Sequence, residues 1–290
     1  MENMICPVCK NDHVSLLFNL GNQPLANAFS LNQHDAIVAL KYDLSLMICN
    51  ECLYVWLKVK VPKEELFSSN TYLTGVSAET REDMKNFTTS CIYTCRLSSL
   101  SKVLDIASND GTLLEYFKER KINVFGVDPS KSACDLAQSK GIETWNTFFN
   151  HETASEIFKK KGKFDIITAT NVITHVENPI EFLESCKEIL TPDGSIVVEF
   201  YNFESIISNT AFDQIYHEHI SYFNFTTFSK LLDRINLQAY KVEVPKSQGG
   251  SLRVFISCKN TKNIHTSVTE TLRKEGGLKK SLKGIWNFHN

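Results

Sequence analysis

The sequence lacks both a marked excess of charge and a long apolar run. Its 31 basic and 33 acidic residues give a formal net charge of -2, so no overall field would draw a nucleic acid or an anionic membrane to the surface. No stretch approaches the roughly 20 apolar residues that cross a bilayer, and the opening MENMICPVCK lacks the apolar core of a signal peptide. We therefore expect a cytoplasmic protein that binds neither nucleic acids nor membranes.

Internal repeats and low-complexity tracts are also absent, and 290 residues with 42% apolar content suffice for one large domain and a smaller one. Nine cysteines are many for a reducing compartment unless some bind a metal. Four form two C-x-x-C pairs, Cys6 with Cys9 and Cys49 with Cys52. One turn can direct both thiolates of a pair at one ion, and two pairs complete a closed tetrahedral shell. We predict a structural zinc site; the alternative is a redox pair, which needs only one such motif.

The segments around the second pair carry weaker signals. GNQPLANAF (residues 21–29) is expected to be a loop, because a proline and two asparagines interrupt any regular pattern. Residues 78–100 predict a helix with four side chains on one apolar face: Met84, Phe87, Cys91 and Cys95. The tail from Thr266 to Asn290 is basic and partly helical in pattern.

Short apolar runs alternate with amphipathic segments from Lys102 onward. The runs KVLDI, NVFGVD, FDIITAT and GSIVVEF are typical of strands, with helices expected from Thr112, Ser130 and Pro179. This alternation predicts an α/β fold with a doubly wound, mainly parallel sheet. LQAYKVEV and SLRVFISC are expected to add an antiparallel pair at its edge. The predicted divisions are a zinc-binding domain (1–60), a helical connector (61–100), the α/β domain (101–260) and a helical tail (261–290).

The turn after the first of these strands is where a doubly wound sheet binds its ligand. No G-x-G-x-x-G motif is present to receive a pyrophosphate, which favours a nucleoside cofactor such as S-adenosylmethionine. The turn combines a strand-end acid with small residues that let a ligand approach the backbone: Asp105, Ala107, Ser108, Asn109, Asp110 and Gly111. About 20 residues on, Asp128 and Pro129 end the second strand, where a carboxylate can hold both ribose hydroxyls.

Further candidates for this site follow the next two strands. Phe148 and Phe149 are placed to flank adenine, or else are core aromatics. Asn171 and His175 lie just after the strand FDIITAT and are expected near the same mouth.

Together these motifs resemble the sugar C-methyltransferases that act on nucleotide-linked ketosugars in the biosynthesis of branched deoxysugars. CPVC, CNEC and GNQPLANAF resemble the family's zinc-binding domain, DIASNDGTLL and GVDPS its cofactor motifs, and FDQIYHEHISYF and GGSLRVF its hallmark segments. The resemblance implies a class I S-adenosylmethionine-dependent methyltransferase fold, Rossmann-like, after a small zinc module. It also implies a further carboxyl-terminal domain, which would begin near Asn290, so we expect either a truncated form or part of a longer protein.

The resemblance also implies how the dense segment IYHEHISYF acts. A carbon beside a ketone must lose a proton before it attacks a methyl sulfonium, and histidine can accept it near neutral pH. The family's base corresponds to His219. Five further residues are implied to assist the base, bind the sugar or contact the reacting region: Tyr216, Glu218, Tyr222, His175 and Tyr72.

Residue spacing leaves alternatives open in this segment. If it is helical, Tyr216 shares a face with His219, and Glu218 reaches toward Tyr222. If it is extended, His217 and His219 face one side and could hold a metal, although no third ligand is evident. Three functions remain: a C-methyltransferase of a nucleotide-linked 4-keto-deoxysugar, an RNA or protein methyltransferase, and a non-catalytic binding module.

Overall fold

The computed structural model describes residues 4–30, 32–62, 65–66, 73–245 and 250–275. The predicted site residue Tyr72 lies outside the described residues. The strands are β1 Val14–Pro24, β2 Lys41–Cys49, β3 Val55–Leu57, β4 Lys102–Ile106, β5 Asn123–Asp128, β6 Thr144–Asn146, β7 Phe164–Thr170, β8 Leu190–Tyr201, β9 Ser221–Tyr222, β10 Leu237–Glu243 and β11 Ser251–Cys258.

Helices connect most of these strands. The α-helices are α1 Gln33–Val38, α2 Ala78–Cys95, α3 Thr112–Glu119, α4 Lys131–Ser139, α5 His151–Lys161, α6 Pro179–Glu188, α7 Phe203–Ser208, α8 Phe225–Arg234 and α9 Thr266–Lys274. Short 3-10 helices span Thr74–Val76, Ile173–His175 and Phe212–Gln214. Among the described residues, no helix combines the length and the apolar character needed to cross a bilayer.

A seven-stranded sheet has the order β10-β11-β8-β7-β4-β5-β6. The strands from β6 to β8 run parallel, and β11 pairs antiparallel with both β8 and β10. The predicted doubly wound sheet and its antiparallel edge pair are therefore confirmed. The central strands are nearly all apolar because both faces of the sheet are covered. On one face, α2 packs with Met84, Phe87 and Cys91 buried.

A second, antiparallel sheet has the order β1-β2-β3-β9. Its first strand extends to Pro24, so the expected loop at 21–29 is wrong for residues 21–24. After an irregularity between Asn19 and Asn22, the chain resumes pairing, and Pro24 lies opposite Lys41. A proline is tolerated there because β1 is an edge strand whose other side needs no donor.

The two sheets share one apolar core. Tyr54, from the cysteine-bearing part of the chain, packs against Phe223 with ring centroids 5.3 Å apart. Phe223 in turn contacts Phe200 of β8 at 5.8 Å. Because β9 contributes its two residues to the smaller sheet, the segment around His219 lies where the sheets meet.

Candidate active site

The four predicted zinc ligands come together. The Sγ atoms of Cys6, Cys9, Cys49 and Cys52 all lie within 4.8 Å of one another. The Cys6–Cys52 and Cys9–Cys49 sulfurs are 3.6 and 3.4 Å apart, close to the roughly 3.8 Å that a tetrahedral zinc with Zn–S bonds of about 2.3 Å requires. The hydrogen bond between Cys6 and Cys52 lowers the pKa of the Cys6 thiol and raises that of the Cys52 thiol, so one sulfur of this pair is readily deprotonated, as metal binding requires. The residues therefore fit a zinc ion.

Both cysteine turns have the same backbone geometry. The amide of Lys10 donates to the carbonyl of Cys6 at 3.0 Å, and the amide of Leu53 donates to the carbonyl of Cys49 at 2.9 Å. Lys10 and Leu53 both have left-handed backbones, with φ of 62° and 64°. Non-glycine residues adopt this conformation only where the surroundings enforce it, which is consistent with a turn shaped around an ion.

The predicted cofactor turn follows β4 and also has left-handed residues. Ala107, Asn109 and Gly111 have φ of 55°, 51° and 74°. Gly111 has a left-handed backbone, and an added Cβ would lie 3.1 Å from Ala137 Cβ as well as 2.9 Å from Ile142 Cδ1, so a side chain is disfavoured there. Ala107 and Asn109 carry side chains at positions that glycine adopts without strain.

Asp105 ends β4 as a buried carboxylate. Its Oδ1 accepts a hydrogen bond from the hydroxyl of Thr168 at 2.7 Å. Burial raises the pKa of Asp105 to about 7, and the carboxylate of Asp128 adds to the effect. A hydrogen-bond donor or a cationic ligand group at this strand end would offset the cost of burying the charged carboxylate.

Asp128 ends β5 and braces the turn. One carboxylate oxygen accepts from the amide of Asn109 at 2.9 Å, and the other accepts from the amide of Ser130 at 2.7 Å. Burial raises the pKa of Asp128. Each oxygen keeps a further lone pair, so the residue retains capacity for hydroxyl donors. Pro129, next to it, is exposed.

The side chains of Asn109 and Asp110 hold a separate segment. Asn109 Oδ1 accepts from the amide of Thr74 at 2.9 Å, and Asp110 Oδ2 accepts from the amide of Gly75 at 3.0 Å. Thr112 donates its hydroxyl to the other oxygen of Asp110 at 2.7 Å. These two candidates thus join the cofactor turn to the residues that lead into α2.

The remaining cofactor candidates are placed differently. Ser108 is buried, and its hydroxyl lies next to Gly126, where an added Cβ would be 2.5 Å away. Phe149 packs edge-on against Phe182 at 5.6 Å, as a core aromatic does, whereas Phe148 is 39% exposed. Asn171 is exposed just beyond β7, with φ of 56°.

The segment with the two histidines is a turn followed by β9, so the helical interpretation of it is wrong. Tyr216 and His219 still meet, because the amide of His219 donates to the carbonyl of Tyr216 and closes the turn. Their side chains lie with Oη 3.0 Å from Nε2. Glu218 does not pair with Tyr222; it accepts a hydrogen bond from Asn27 at 2.5 Å.

The hydrogen bonds of His219 fix its tautomer. Nδ1 lies 2.8 Å from the carbonyl oxygen of Gln214, which can only accept, so Nδ1 carries the proton and donates it. Nε2 is therefore the acceptor, and the hydroxyl of Tyr216 donates to it. Burial and the nearby imidazole of His175 lower the pKa of His219 to about 3.

His175 forms the second half of an imidazole pair. Its Nδ1 donates to the carbonyl oxygen of Glu218 at 2.8 Å, and its ring centroid lies 4.9 Å from that of His219. Burial lowers the pKa of His175 to about 4. Tyr222 presents its ring edge-on to His219 at 6.2 Å and is itself buried. The structure therefore brings together His175, Tyr216, His219 and Tyr222.

His217 points away from this group. It is buried, and its Nε2 lies 3.2 Å from the carbonyl oxygen of Tyr42. Burial lowers its pKa. Among the described residues, the four cysteines are the one group of three or more potential metal ligands that lie close together. A metal held by His217 and His219 would therefore have no third ligand from those residues.

Several residues around the site were not predicted. Gln214 acts through its carbonyl group and Asn27 through a long-range contact, and neither leaves a sequence signal. A buried ion pair could have been found, because Glu199 and Arg253 are the single charged residues of the apolar runs GSIVVEF and SLRVFISC. Arg253 Nε lies 2.8 Å from Glu199 Oε2, and Arg253 Nη1 lies 3.2 Å from Glu243 Oε2.

Two known methyltransferases resemble the chain, one over most of its length and one over about a third. The C-methyltransferase NovU of Streptomyces niveus is 27% identical over 271 residues, which cover 93% of this chain and 64% of NovU. A ubiquinone biosynthesis O-methyltransferase of Actinobacillus pleuropneumoniae is 32% identical over 107 residues, 35% of this chain and 46% of that protein. The chain thus spans less than two thirds of the length of either relative.

The fold also matches solved structures. The plantazolicin methyltransferase BpumL, in complex with a pentazolic desmethylPZN analog and SAH, is 19% identical, covers 69% of this chain and 92% of its own, and superposes with a TM-score of 0.51. A family model described as "Putative zinc binding domain" matches residues 6–67. A model described as "Methyltransferase domain" matches residues 79–242. These matches confirm the predicted class I methyltransferase fold, and the chain belongs to the methyltransferase domain family.

Proposed function

We propose that the protein is an S-adenosylmethionine-dependent C-methyltransferase that methylates C3, the carbon beside the ketone, of a nucleotide-linked 4-keto-deoxysugar. The observation that carries this proposal is the fixed tautomer of His219, whose Nδ1 donates to Gln214 and whose Nε2 is an acceptor. The similarity of NovU, described as a C-methyltransferase, over 93% of the chain supports carbon as the methylated atom.

In the proposed reaction, the hydrogen of the carbon beside the ketone passes as a proton to Nε2 of His219. The electron pair left behind is delocalised onto the ketone oxygen as an enolate. Burial keeps the His219 ring neutral at neutral pH, so Nε2 carries no proton, but the same burial lowers the basicity of the ring. The developing negative charge next to the ring then raises its proton affinity during the transfer.

Tyr216 is proposed to stabilise the enolate in this scheme. Its hydroxyl donates to His219 Nε2 before substrate binds, and burial raises the pKa of its hydroxyl, so it stays protonated. When the substrate carbon displaces the Tyr216 hydroxyl from His219 Nε2, that hydroxyl becomes available to donate a hydrogen bond to the enolate oxygen. By the family resemblance, Glu218 is proposed to assist the base or bind the sugar and Tyr222 to bind the sugar. The same resemblance assigns His175 and Tyr72 to contact with the reacting region.

The residues after β4 and β5 are proposed to hold the cofactor, with Asp105 and Asp128 as its charged partners. Bound S-adenosylmethionine supplies the electrophilic methyl group. The residues of the chain are proposed to hold the substrate carbon in line with that methyl group and to exclude water. Positioning of this kind lowers the activation barrier of a displacement by roughly several kcal/mol. The zinc ion is proposed to be structural, since four cysteine ligands leave no open position.

Incubation of the zinc-loaded protein with S-adenosylmethionine and a panel of nucleotide-linked 4-keto-deoxysugars tests the proposal. The product should be heavier by one methyl group, and NMR should place that methyl on the carbon beside the ketone. The similarity to an O-methyltransferase over 35% of the chain makes oxygen the competing site. A methyl group found on oxygen or nitrogen would refute the role of His219 as a carbon base.

The same incubation in D2O separates this proposal from a non-catalytic binding module. An enzyme that forms the enolate exchanges the hydrogen beside the ketone with solvent. A binding module takes up the cofactor, measured by calorimetry, without any such exchange.

A further inference from the structure

Glu275 is a buried carboxylate that the proposed reaction does not use. It follows α9 and is 4% exposed. Its Oε1 accepts from the amide of Phe225 at 2.8 Å and from Asn202 Nδ2 at 3.1 Å. Its Oε2 accepts from the amide and the hydroxyl of Thr226 at 2.7 and 2.9 Å. The two amides begin α8, where the helix dipole also favours a negative charge.

The partners of Glu275 lie at the two ends of one loop of chain. Asn202 directly follows β8, and Phe225 begins α8. The segment of residues 203–224 between them therefore has both its ends bonded to the Glu275 carboxylate. The amide of Phe203 donates to the carbonyl of Phe223 at 2.9 Å and closes the loop just beside it. This loop carries the whole turn with Tyr216 and His219.

We propose that Glu275 is a positioning residue. It holds the two ends of the 203–224 loop together and thereby sets the orientation of the His219 imidazole. The inference rests on the proposed function for the role of His219 as base. Charge-assisted hydrogen bonds are directional, and a single oxygen shared between Asn202 and Phe225 sets the distance between the two ends of the loop.

A simpler role, as an anchor for the tail alone, is less consistent with the contacts. The start of α9 has attachments of its own. His265 donates its amide to the carbonyl of Tyr240 at 2.8 Å, the hydroxyl of Ser267 accepts from the amide of Val242 at 3.0 Å, and Val268 is buried. Loss of the Glu275 carboxylate should therefore loosen the loop without detaching α9 from β10.

Three variants of the full, zinc-loaded chain test this inference. Glu275→Ala removes all four contacts. Glu275→Gln keeps one carbonyl oxygen for Asn202 and Phe225 but turns an N–H group toward the donors of Thr226. Glu270→Gln, an exposed position on the same helix, is the matched control. We expect kcat to fall roughly 10- to 100-fold in Glu275→Ala, less in Glu275→Gln and not in the control, with the KM for the cofactor unchanged within about twofold.

NMR of the ring signals gives a readout that does not depend on turnover. In both Glu275 variants the signals of His219 and Tyr216 should shift and broaden, while those of the exposed His151 stay in place. If the wild-type chain turns over no ketosugar, the proposed function fails, but the ring signals still test the loop. Unchanged His219 signals in Glu275→Gln, or a drop in kcat equal to that of Glu270→Gln, would overturn the inference. A rise in the cofactor KM with undisturbed ring signals would assign Glu275 to the tail alone and overturn it too.

Discussion

The phenol oxygen of Tyr54 lies 2.5 Å from the hydroxyl oxygen of Ser221. Tyr54 follows the second cysteine turn, and Ser221 follows His219 by two residues. Around this contact, Leu57 donates its amide to the carbonyl of Ile220 at 3.0 Å, and Thr227 donates its hydroxyl to the carbonyl of Cys52 at 2.8 Å. The part of the chain that carries the cysteines is thus directly bonded to the residues that follow the proposed base, His219.

Removal of the metal should therefore loosen the turn with His219. Chelation leaves four clustered thiols without their ion, and the strand pairing of β3 with β9 loses its support. We expect hydrogen exchange at the amide of Leu57 and in residues 215–224 to accelerate about tenfold or more. Exchange in β7 serves as the internal control and should not change. Protection that survives chelation at Leu57 would show that the metal does not support β9.

Replacement of Gly75 by alanine should separate the 74–76 segment from the cofactor turn. An added Cβ would lie 2.6 Å from Asp110 Oδ2 and 2.6 Å from Thr112 Oγ1, and a clash of this kind costs about 1–3 kcal/mol. Calorimetry with S-adenosylmethionine should show affinity reduced about tenfold. Thr74→Ala, which keeps the backbone amide that donates to Asn109, is the control and should bind as the wild type does. Equal affinities in the two variants would contradict the role given to this contact.

The stability of the ligand-free protein should carry a pH dependence from Asp105. The folded pKa of about 7 lies above the ordinary value of 3.8, so the contribution of this group is fully present below about pH 4 and is lost as the pH rises through 7. Asp105→Asn keeps an oxygen for the Thr168 hydroxyl and abolishes the titration. Urea unfolding should show the variant gaining stability over the wild type, on the order of 2–4 kcal/mol, between pH 4 and pH 8.

Asp135→Asn controls for general charge effects, because Asp135 is an exposed carboxylate that forms an ion pair with Lys131 at 2.9 Å. If the difference between Asp105→Asn and the wild type stays constant over that pH range, the carboxylate is not buried in the uncharged form as inferred.

The imidazole pair should remain neutral far below the usual histidine range. The folded pKa values of about 3 for His219 and about 4 for His175 lie below the ordinary value of 6.5. Their contribution to stability is therefore present above about pH 6.5 and is lost as the pH falls toward 4. An NMR titration of the folded protein should show neither ring protonated at pH 5. In urea at the same pH, both rings should be protonated; titration of either one near 6.5 in the folded protein would refute the burial argument.

The sequence predicted the larger sheet because its strands carry their own signal. β4, β5 and β7 are short apolar runs bounded by turn residues, which is the pattern of strands that are covered on both faces of a parallel sheet. β9 is only Ser221–Tyr222, which is too short to show a period, and it pairs with a strand far away in sequence. Its place in the smaller sheet follows from tertiary packing alone.

Prediction of the candidate site was limited in the same way. The family resemblance singled out His219, and the two C-x-x-C pairs singled out the four cysteines, whose sulfur atoms lie together in the structure. The atoms that fix the tautomers of His219 and His175 are the carbonyl oxygens of Gln214 and Glu218. Every residue has such an oxygen, so no sequence pattern could have identified them.

Exchange of the hydrogen beside the ketone in the variant His219→Asn tests the central claim most directly. The asparagine amide can still donate to the Gln214 carbonyl, but it has no basic atom at the position of Nε2. His151→Asn, at an exposed histidine, is the control. With cofactor affinity unchanged, we predict that exchange in D2O falls roughly 100- to 10,000-fold in His219→Asn and stays at the wild-type rate in the control. Exchange at the wild-type rate in a folded His219→Asn protein would contradict the assignment of His219 as the base.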